Sequence, residues 1–250
     1  MKLGESMRYR ILDYIRGINL ISMILYHFIW DMVYIFGVNW TWYKSEAGYI
    51  WQQSICWTFI MLSGFCWSLG KQRLKRGLTV LGAGMLVTAI TVLVMPENQI
   101  IFGVLSLMGS CTLLLIPLEK ILKKIPKGIG FLSCMVIFIL LRHINEGYIG
   151  IGEDILFQLP EVLYQGYLMT YLGFTDGSFY STDYFSIFPW VFLFMAGYFL
   201  YGMMQKKALL KQLQIERVTF VEMMGKHSLM LYLMHQPIIY LVLNIWSEVN

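Results

Sequence analysis

Seven long apolar blocks limit what this chain can fold into. A helix needs roughly 20 mostly apolar residues to cross about 30 Å of hydrocarbon. The blocks meet that length and run continuously, without the two-residue alternation of strands, so they predict helices. The predicted fold class is all-α, a polytopic membrane helix bundle with about seven transmembrane helices. The blocks lie near 11–36, 49–69, 78–95, 100–118, 128–145, 185–204 and 227–246.

The composition agrees with a membrane bundle. Hydrophobic residues make up 58% of the chain and charged residues only 14%, whereas soluble domains usually carry about 25% charged residues. The short connections leave no room for a soluble domain, so residues 1–250 are predicted to form a single membrane domain. The four cysteines fall within apolar blocks without metal-like spacing, and we predict no metal site.

The positions of lysine and arginine predict the orientation. Of the 19 basic residues, 17 lie in the N-terminal segment or in the connections 70–77, 119–127 and 205–226; the other two are Lys44 and Arg142. Because cytoplasmic loops carry the excess of basic residues, the N-terminus is predicted to be cytoplasmic. The sequence pI of 8.8 then reflects topology, and no nucleic-acid partner is needed to explain it.

Residues 155–174 are apolar enough to resemble another span. If they crossed the membrane, block 185–204 would run the other way and the basic connection after it would lie outside. We therefore interpret 146–184 as a long external segment between the fifth and sixth helices, lying on the membrane surface or re-entering it. A loop of this length is usually functional or disordered, and its aromatic content favours a functional role such as a lid on the acceptor side.

The first block carries a stripe of polar side chains. Asp13 and Asp31 are 18 residues apart, which is five helical turns, and Arg16 and His27 lie within about 60° of the same line. A charge inside a spanning helix needs a partner or a cavity. Two simpler interpretations remain: Asp13 and Arg16 anchor the helix end as an ion pair, or Asp31 sits at the outer interface and His27 is a core histidine. His27 and Asp31, at i and i+4, would also suit a general base and the carboxylate that orients it.

The last block carries a second polar face. Ser228, Tyr232 and His235 recur at i, i+4 and i+7 and so share one side of a helix. Two residues after His235, Pro237 has no backbone N–H and therefore removes one hydrogen bond of the helix. The simpler alternative is a packing helix kinked at the proline, in which the polar side chains form hydrogen bonds with the backbone carbonyl that the proline leaves unpaired.

These residues resemble a known family. Arg16 and His27 are separated by ten residues and follow the run LDYIRG, which resembles the Arg-(ten residues)-His element of the transmembrane acyltransferase superfamily. Within this superfamily, the chain more closely resembles the bacterial relatives of heparan-α-glucosaminide N-acetyltransferase. The similarity covers nearly the whole chain, in family order, through IRGINLISMILYHFIWDM, FIMLSGFCWSLG, IIFGVLSLMGS, DYFSIFPWVFLFMAGY and GKHSLMLYLMHQP.

The resemblance implies transfer of an acyl group, expected to be acetyl, from cytoplasmic acyl-CoA to a sugar or other hydroxyl or amine acceptor at the outer face. It needs acetyl-CoA as cosubstrate and no metal. Arg16 would meet the CoA phosphates, and His27 lies 11 residues higher, about 16 Å along a helix, within reach of a pantetheine arm. The expected catalytic residues are His27, Asp31 and His235, and those expected to bind the cofactor are Arg16, Asp13, Ser228 and Tyr232.

Several alternatives stay open at this point. An ion or small-molecule transporter could also use a buried Asp/Arg/His stripe, although the sequence shows no inverted repeat. His235, Tyr232 or Ser228 could donate to the oxyanion, and transfer could be direct or pass through an acyl-histidine. The expected partners are acyl-CoA, a carbohydrate or cell-envelope acceptor and the lipid bilayer of the plasma membrane, with a homodimer left open.

Overall fold

The computed structural model describes residues 10–206 and 220–249, and these residues are mostly helical. Each of the seven apolar blocks coincides with a long helix, namely α1 to α5, α7 and α9. Basic residues Lys2, Arg8, Lys207, Lys211 and Arg217 lie outside the described residues. The helices are α1 Arg10–Tyr34, α2 Glu46–Trp67, α3 Arg73–Val94, α4 Val104–Leu122, α5 Lys127–Leu140, α6 Gly166–Leu172, α7 Trp190–Lys206, α8 Phe220–Lys226 and α9 Ser228–Val249.

Four spans in the described part of the chain are long and apolar enough to cross a membrane: Arg73–Val94, Val104–Leu122, Lys127–Glu146 and Ser228–Ser247. Trp190–Gln205 is a shorter apolar helix. The prediction of a helical membrane bundle is thereby confirmed in its broad form. The number of seven spans and the cytoplasmic N-terminus stay predictions.

The described residues fall into two compact units, divided within α2 and within α7. One unit combines the residues up to Phe59 with those from Met204 onward, and it holds α1, α8, α9 and the first part of α2. The other runs from Ile60 to Met203 and holds α3 to α6.

In the first unit, glycines let the backbones of α1 and α8 approach closely. A Cβ on Gly225 of α8 would lie 1.7 Å from the carbonyl oxygen of Asp13, and one on Gly17 of α1 would lie 2.0 Å from that of Val221. This packing fixes the α1 end that carries Asp13 and Arg16.

We expect Gly225→Ala to destabilise the protein by about 1–3 kcal/mol, because the added methyl group must push two backbones apart. Thermal unfolding of the purified protein in detergent measures the effect. The matched control is Gly82→Ala in α3, where an added Cβ meets nothing within 4 Å, so stability should stay level or rise slightly. Equal melting temperatures for the two variants would contradict the close α1–α8 contact.

In the second unit, α3 and α4 pack as antiparallel neighbours. A Cβ on Gly84 would meet Ser106, and one on Gly109 would meet the Leu81 backbone, so small residues again permit the close approach. At the end of the pair where α3 begins and α4 ends, Arg73 donates to Glu119 at 2.8 Å. The two helices therefore have one charged end and one end joined by the connection 95–103.

The segment between α5 and α7 departs from a purely helical fold. It contains an antiparallel hairpin of strands β1 Tyr148–Ile151 and β2 Asp154–Gln158, followed by the seven-residue α6. Gly152 turns the hairpin with φ of 58°, a left-handed conformation that favours glycine. Residues 155–174 thus form no long helix, which agrees with not counting them as a span. The side of the membrane on which this segment lies stays a prediction.

Candidate functional site

Two histidines from different helices meet in the first unit. His27 of α1 and His235 of α9 have ring centroids 4.9 Å apart, with the rings tilted by 58°. The ring of Tyr26 meets His27 edge-on at 5.9 Å, and that of Tyr232 lies 5.3 Å from His235. His235 is buried and His27 half-buried. The structure therefore brings together the two imidazoles that the sequence placed on separate polar faces.

The hydrogen bond of His235 defines which ring nitrogen carries the proton. Its Nδ1 contacts the backbone carbonyl oxygen of Tyr232, one turn earlier in α9. A carbonyl oxygen can only accept, so Nδ1 must be the protonated nitrogen, and Nε2 of the neutral ring carries the lone pair. Neutral His235 can therefore accept a proton through Nε2. It can donate to an oxyanion from that nitrogen only after it has been protonated.

Asp31 has a different partner from the one expected from its spacing. Its side chain is fully buried, and Oδ1 accepts a hydrogen bond of 2.7 Å from the Gln236 amide of α9. Among the described residues, Oδ2 has no hydrogen-bond partner, so the expected bond from His27 is not formed. Sequence analysis missed Gln236 as the partner of Asp31. The sequence feature that could have indicated this partner is the amide side chain of Gln236, directly after His235 in a mainly apolar block.

Three buried polar atoms of this region have no hydrogen-bond partner within residues 10–206 and 220–249: Asp31 Oδ2, His235 Nε2 and Gln236 Oε1. Buried polar groups are nearly always paired, because each unmade bond costs about 1–3 kcal/mol. Unpaired polar side-chain atoms from two helices, beside a pair of imidazoles, are able to form hydrogen bonds with a polar substrate. We define the polar cluster as His27, Asp31, His235 and Gln236.

The other end of α1 holds the residues expected to bind the cofactor. Arg16 donates to the buried Asp13 at 2.8 Å. Sequence analysis missed the neighbouring charges: Arg10 contacts the buried Glu222 at 3.0 Å, and Lys226 contacts the same carboxylate at 2.9 Å. The hydrogen bond from Lys226 lowers the pKa of the Glu222 carboxyl, with Arg10 acting in the same direction.

These five side chains carry three positive and two negative charges, so their sum is one positive charge. We call them the basic end of α1. The i,i+4 spacing of Glu222 and Lys226 is the sequence feature that could have predicted this ion pair. Since α1 is continuous from Arg10 to Tyr34, Arg16 and His27 are separated by about 16 Å along one helix, as predicted.

The remaining two predicted residues take different positions. Tyr232 packs its ring against His235, and its ring centroid is 6.4 Å from that of Phe59. Ser228 is half-buried at the first residue of α9. It lies about 10 Å along the helix axis from His235, so it is placed toward the start of α9 and away from the imidazole pair.

Comparison with known proteins adds one finding. A family model described as "Heparan-alpha-glucosaminide N-acetyltransferase, catalytic" matches residues 8–237. The matched range includes both imidazoles, Asp31, Gln236 and the basic end of α1. No curated protein and no solved structure matches the chain.

Proposed function

Because this chain belongs to the heparan-alpha-glucosaminide N-acetyltransferase catalytic family, we propose that it transfers an acetyl group from cytoplasmic acetyl-CoA to a hydroxyl or amine acceptor, such as a sugar, at the outer face of the plasma membrane. Family membership supplies the activity class, a membrane acetyltransferase. The observation that supports the site is the polar cluster, with two imidazoles 4.9 Å apart and three unpaired buried atoms. The transporter alternative has no comparable support.

The basic end of α1 suits the CoA moiety. Arginine and lysine make charge-assisted hydrogen bonds with phosphate oxygens, and Arg10, Arg16 and Lys226 lie there together. Their carboxylate partners, Asp13 and Glu222, hold the cations in place in the free protein. An extended pantetheine arm would cover the 16 Å to His27 and bring the thioester to the polar cluster.

Acetyl transfer needs a base that removes a proton from the acceptor, and the imidazole pair can provide it. His27 takes the proton of the acceptor hydroxyl or amine as its oxygen or nitrogen attacks the thioester carbonyl carbon. The carbon–sulfur bond then breaks, and the CoA sulfur leaves with the proton. His235, with its lone pair on Nε2, stabilises the protonated His27 ring beside it. In the acyl-histidine route, an imidazole nitrogen attacks the thioester carbonyl carbon, and the carbon–sulfur bond breaks to release CoA as the thiol. The acceptor oxygen or nitrogen then attacks the acyl group, the acyl–imidazole bond breaks, and the acceptor proton passes to the freed imidazole.

One experiment tests both the activity and the route. The purified protein is incubated with acetyl-CoA labelled in the acetyl group, and CoA release is followed with a thiol reagent. We expect slow hydrolysis without acceptor and faster release when a sugar acceptor is added. Label that stays on the protein after rapid acid quenching indicates the acyl-histidine route, and its absence indicates direct transfer. No CoA release under any condition would contradict an acetyl-CoA-dependent enzyme.

The predicted topology has its own test. Single cysteines at positions 124 and 154, both exposed in the structure, are introduced after the four native cysteines have been replaced. We expect an impermeant thiol reagent added to intact cells to label position 154 and to reach position 124 only after permeabilisation, because the basic connections are expected to face the cytoplasm. Labelling of position 124 in intact cells would reverse the proposed sidedness.

Arg16→Gln should raise the KM for acetyl-CoA by about tenfold or more, because a charge-assisted bond to phosphate contributes about 1.5–3 kcal/mol. The substitution also leaves buried Asp13 without this partner, so the double variant Asp13→Asn/Arg16→Gln is needed to remove both charges together. Its stability should recover while its affinity for acetyl-CoA stays low. Lys124→Gln, an exposed cation on the same predicted side, is the control. If the double variant has the wild-type KM for acetyl-CoA, Arg16 does not bind the cofactor and only anchors the end of α1 through its ion pair with Asp13.

A further inference from the structure

The unpaired atoms of the polar cluster all have the same hydrogen-bonding polarity. Asp31 Oδ2 and Gln236 Oε1 have no hydrogen-bond partner among the described residues, and both are oxygen atoms that accept. The unpaired Nε2 of His235 also accepts, because Nδ1 of the neutral ring carries the proton. In the described part of the chain, the buried atoms that this cluster leaves unpaired are therefore all hydrogen-bond acceptors.

The contact between Gln236 and Asp31 fixes the orientation of the glutamine amide. An ionised carboxylate oxygen can only accept, so the atom of Gln236 that lies 2.7 Å from Asp31 Oδ1 must be the amide nitrogen. The amide oxygen is then the atom of Gln236 that has no partner within the described chain. The unpaired oxygens of the two side chains thus belong to one hydrogen-bonded pair.

The polarity of this pair decides which substrate it can bind. The carbonyl oxygen of a thioester and the oxygens of a phosphate are themselves hydrogen-bond acceptors, so they cannot pair with Asp31 Oδ2 or Gln236 Oε1. A hydroxyl or an amine supplies the donor that these two atoms need. Because both atoms are buried, a ligand without that donor leaves them unpaired and loses affinity. The pair therefore suits the substrate that receives the acetyl group, and not acetyl-CoA.

The pair lies close to the imidazoles along both helices. Asp31 follows His27 by four residues, about 6 Å along the axis of α1, and Gln236 directly follows His235 in α9. Two groups on neighbouring carbon atoms of one ligand can span this distance when each forms a hydrogen bond of about 2.8 Å. A ligand whose reacting group meets the imidazoles can therefore place a second donor at Asp31 and Gln236.

We propose that Asp31 Oδ2 and Gln236 Oε1 bind a second hydroxyl of the acetyl-accepting substrate, on the carbon next to the one that carries the reacting hydroxyl or amine. The substrate is then a vicinal diol or an amine with a neighbouring hydroxyl, and a substrate with a single hydroxyl is rejected. The inference rests on the proposed acetyl transfer and names the feature of the substrate that the site selects. The bound hydroxyl holds the reacting group beside His27.

The binding test needs no acetyl-CoA. The full-length protein in detergent carries an isotope label at the Cε1 atoms of its four histidines, and their nuclear magnetic resonance signals are followed during titration. We expect trans-1,2-cyclohexanediol to shift the His27 and His235 signals to saturation. Cyclohexanol should need a concentration at least about tenfold higher, because it leaves the two buried oxygens unpaired. The signal of His143, which belongs to the other unit, controls for solvent effects.

Asp31→Asn changes the polarity of the pair while keeping its shape. One side-chain oxygen remains to accept from Gln236, and an NH₂ donor replaces the unpaired oxygen. The diol should lose its advantage over cyclohexanol in the titration and in kcat/KM for acetyl transfer. Effects on the chemistry common to both alcohols cancel in this ratio. Gln236→Lys, which still donates to Asp31 but has no acceptor atom, should lose the same preference.

The matched control is Asp154→Asn, the same change at an exposed carboxylate of the other unit, which should keep the preference for the diol. Diol-selective shifts without acetyl transfer to either alcohol support the second-hydroxyl site and place the failure in the proposed function. Equal titrations with the two alcohols, or no shift with either, mean that the two oxygens pair with internal water only and overturn the inference. Transfer without preference for the diol, or a preference that survives in Asp31→Asn, also overturns it.

Discussion

His27→Gln is expected to lower the turnover of acetyl transfer by about 10²–10⁴-fold, the usual contribution of a positioned general base. Glutamine is polar and of similar reach, so the space beside His235 stays filled, but it cannot take up a proton. Acetyl-CoA should still bind, because the charges assigned to its phosphates lie at the other end of α1, about 16 Å away. Turnover and the KM for acetyl-CoA are measured separately with the purified variant in detergent.

Two further substitutions show whether a loss of turnover is specific to His27. His143→Gln makes the same change at a histidine in the other unit, in the turn after α5, and should leave turnover unchanged. His235→Gln removes the imidazole whose Nε2 carries the lone pair. If His27→Gln keeps near-normal turnover and His235→Gln loses it, His235 is the base and His27 serves the packing of the cluster.

The sequence predicted those parts of the fold that depend on local composition. Continuous apolar blocks without a two-residue alternation favour helices over strands, and all seven blocks coincide with helices in the structure. The stripe on α1 follows from helical periodicity alone, and the structure buries Asp13 and Asp31 while leaving Ile15 and Ile18 exposed. The hairpin at 148–158 was missed because its apolar residues do not alternate cleanly, although Gly152 between two short segments rich in apolar residues was a turn signal.

The composition of the polar cluster could not be predicted in the same way. Periodicity places Ser228, Tyr232 and His235 on one face of α9, but it does not say how α9 is rotated against α1. Gln236, one residue beyond His235 and therefore 100° further round the helix, donates to Asp31. Ser228, by contrast, lies at the start of α9, about 10 Å from His235 along the axis. Which side chain of α9 meets a given side chain of α1 depends on the tertiary packing of the two helices, which joins residues more than 200 positions apart.

The hydrogen bond between Gln236 and Asp31 gives the second large expected effect. Gln236→Leu should destabilise the protein by about 1.5–3 kcal/mol, because it leaves a fully buried carboxylate without its donor. Asp31→Leu should destabilise the protein by a similar amount, because it leaves the Gln236 amide without its acceptor. The double variant Asp31→Leu/Gln236→Leu removes both partners and should be far less destabilised than the sum of the single changes, since replacing both by apolar groups is nearly neutral. Unfolding in detergent, monitored for all four proteins, gives this coupling energy.

The same pair tests whether Asp31 acts on the chemistry through the imidazoles. Asp31→Asn keeps an oxygen that accepts from Gln236 and removes the negative charge, so stability should change little. Turnover should fall in part and its pH optimum should move, because the electrostatic field at the imidazole pair has changed. A purely structural Asp31 would give wild-type turnover and an unshifted pH profile in Asp31→Asn together with the full stability loss in Gln236→Leu. That combination would remove Asp31 from the mechanism and leave its hydrogen bond as a structural contact between α1 and α9.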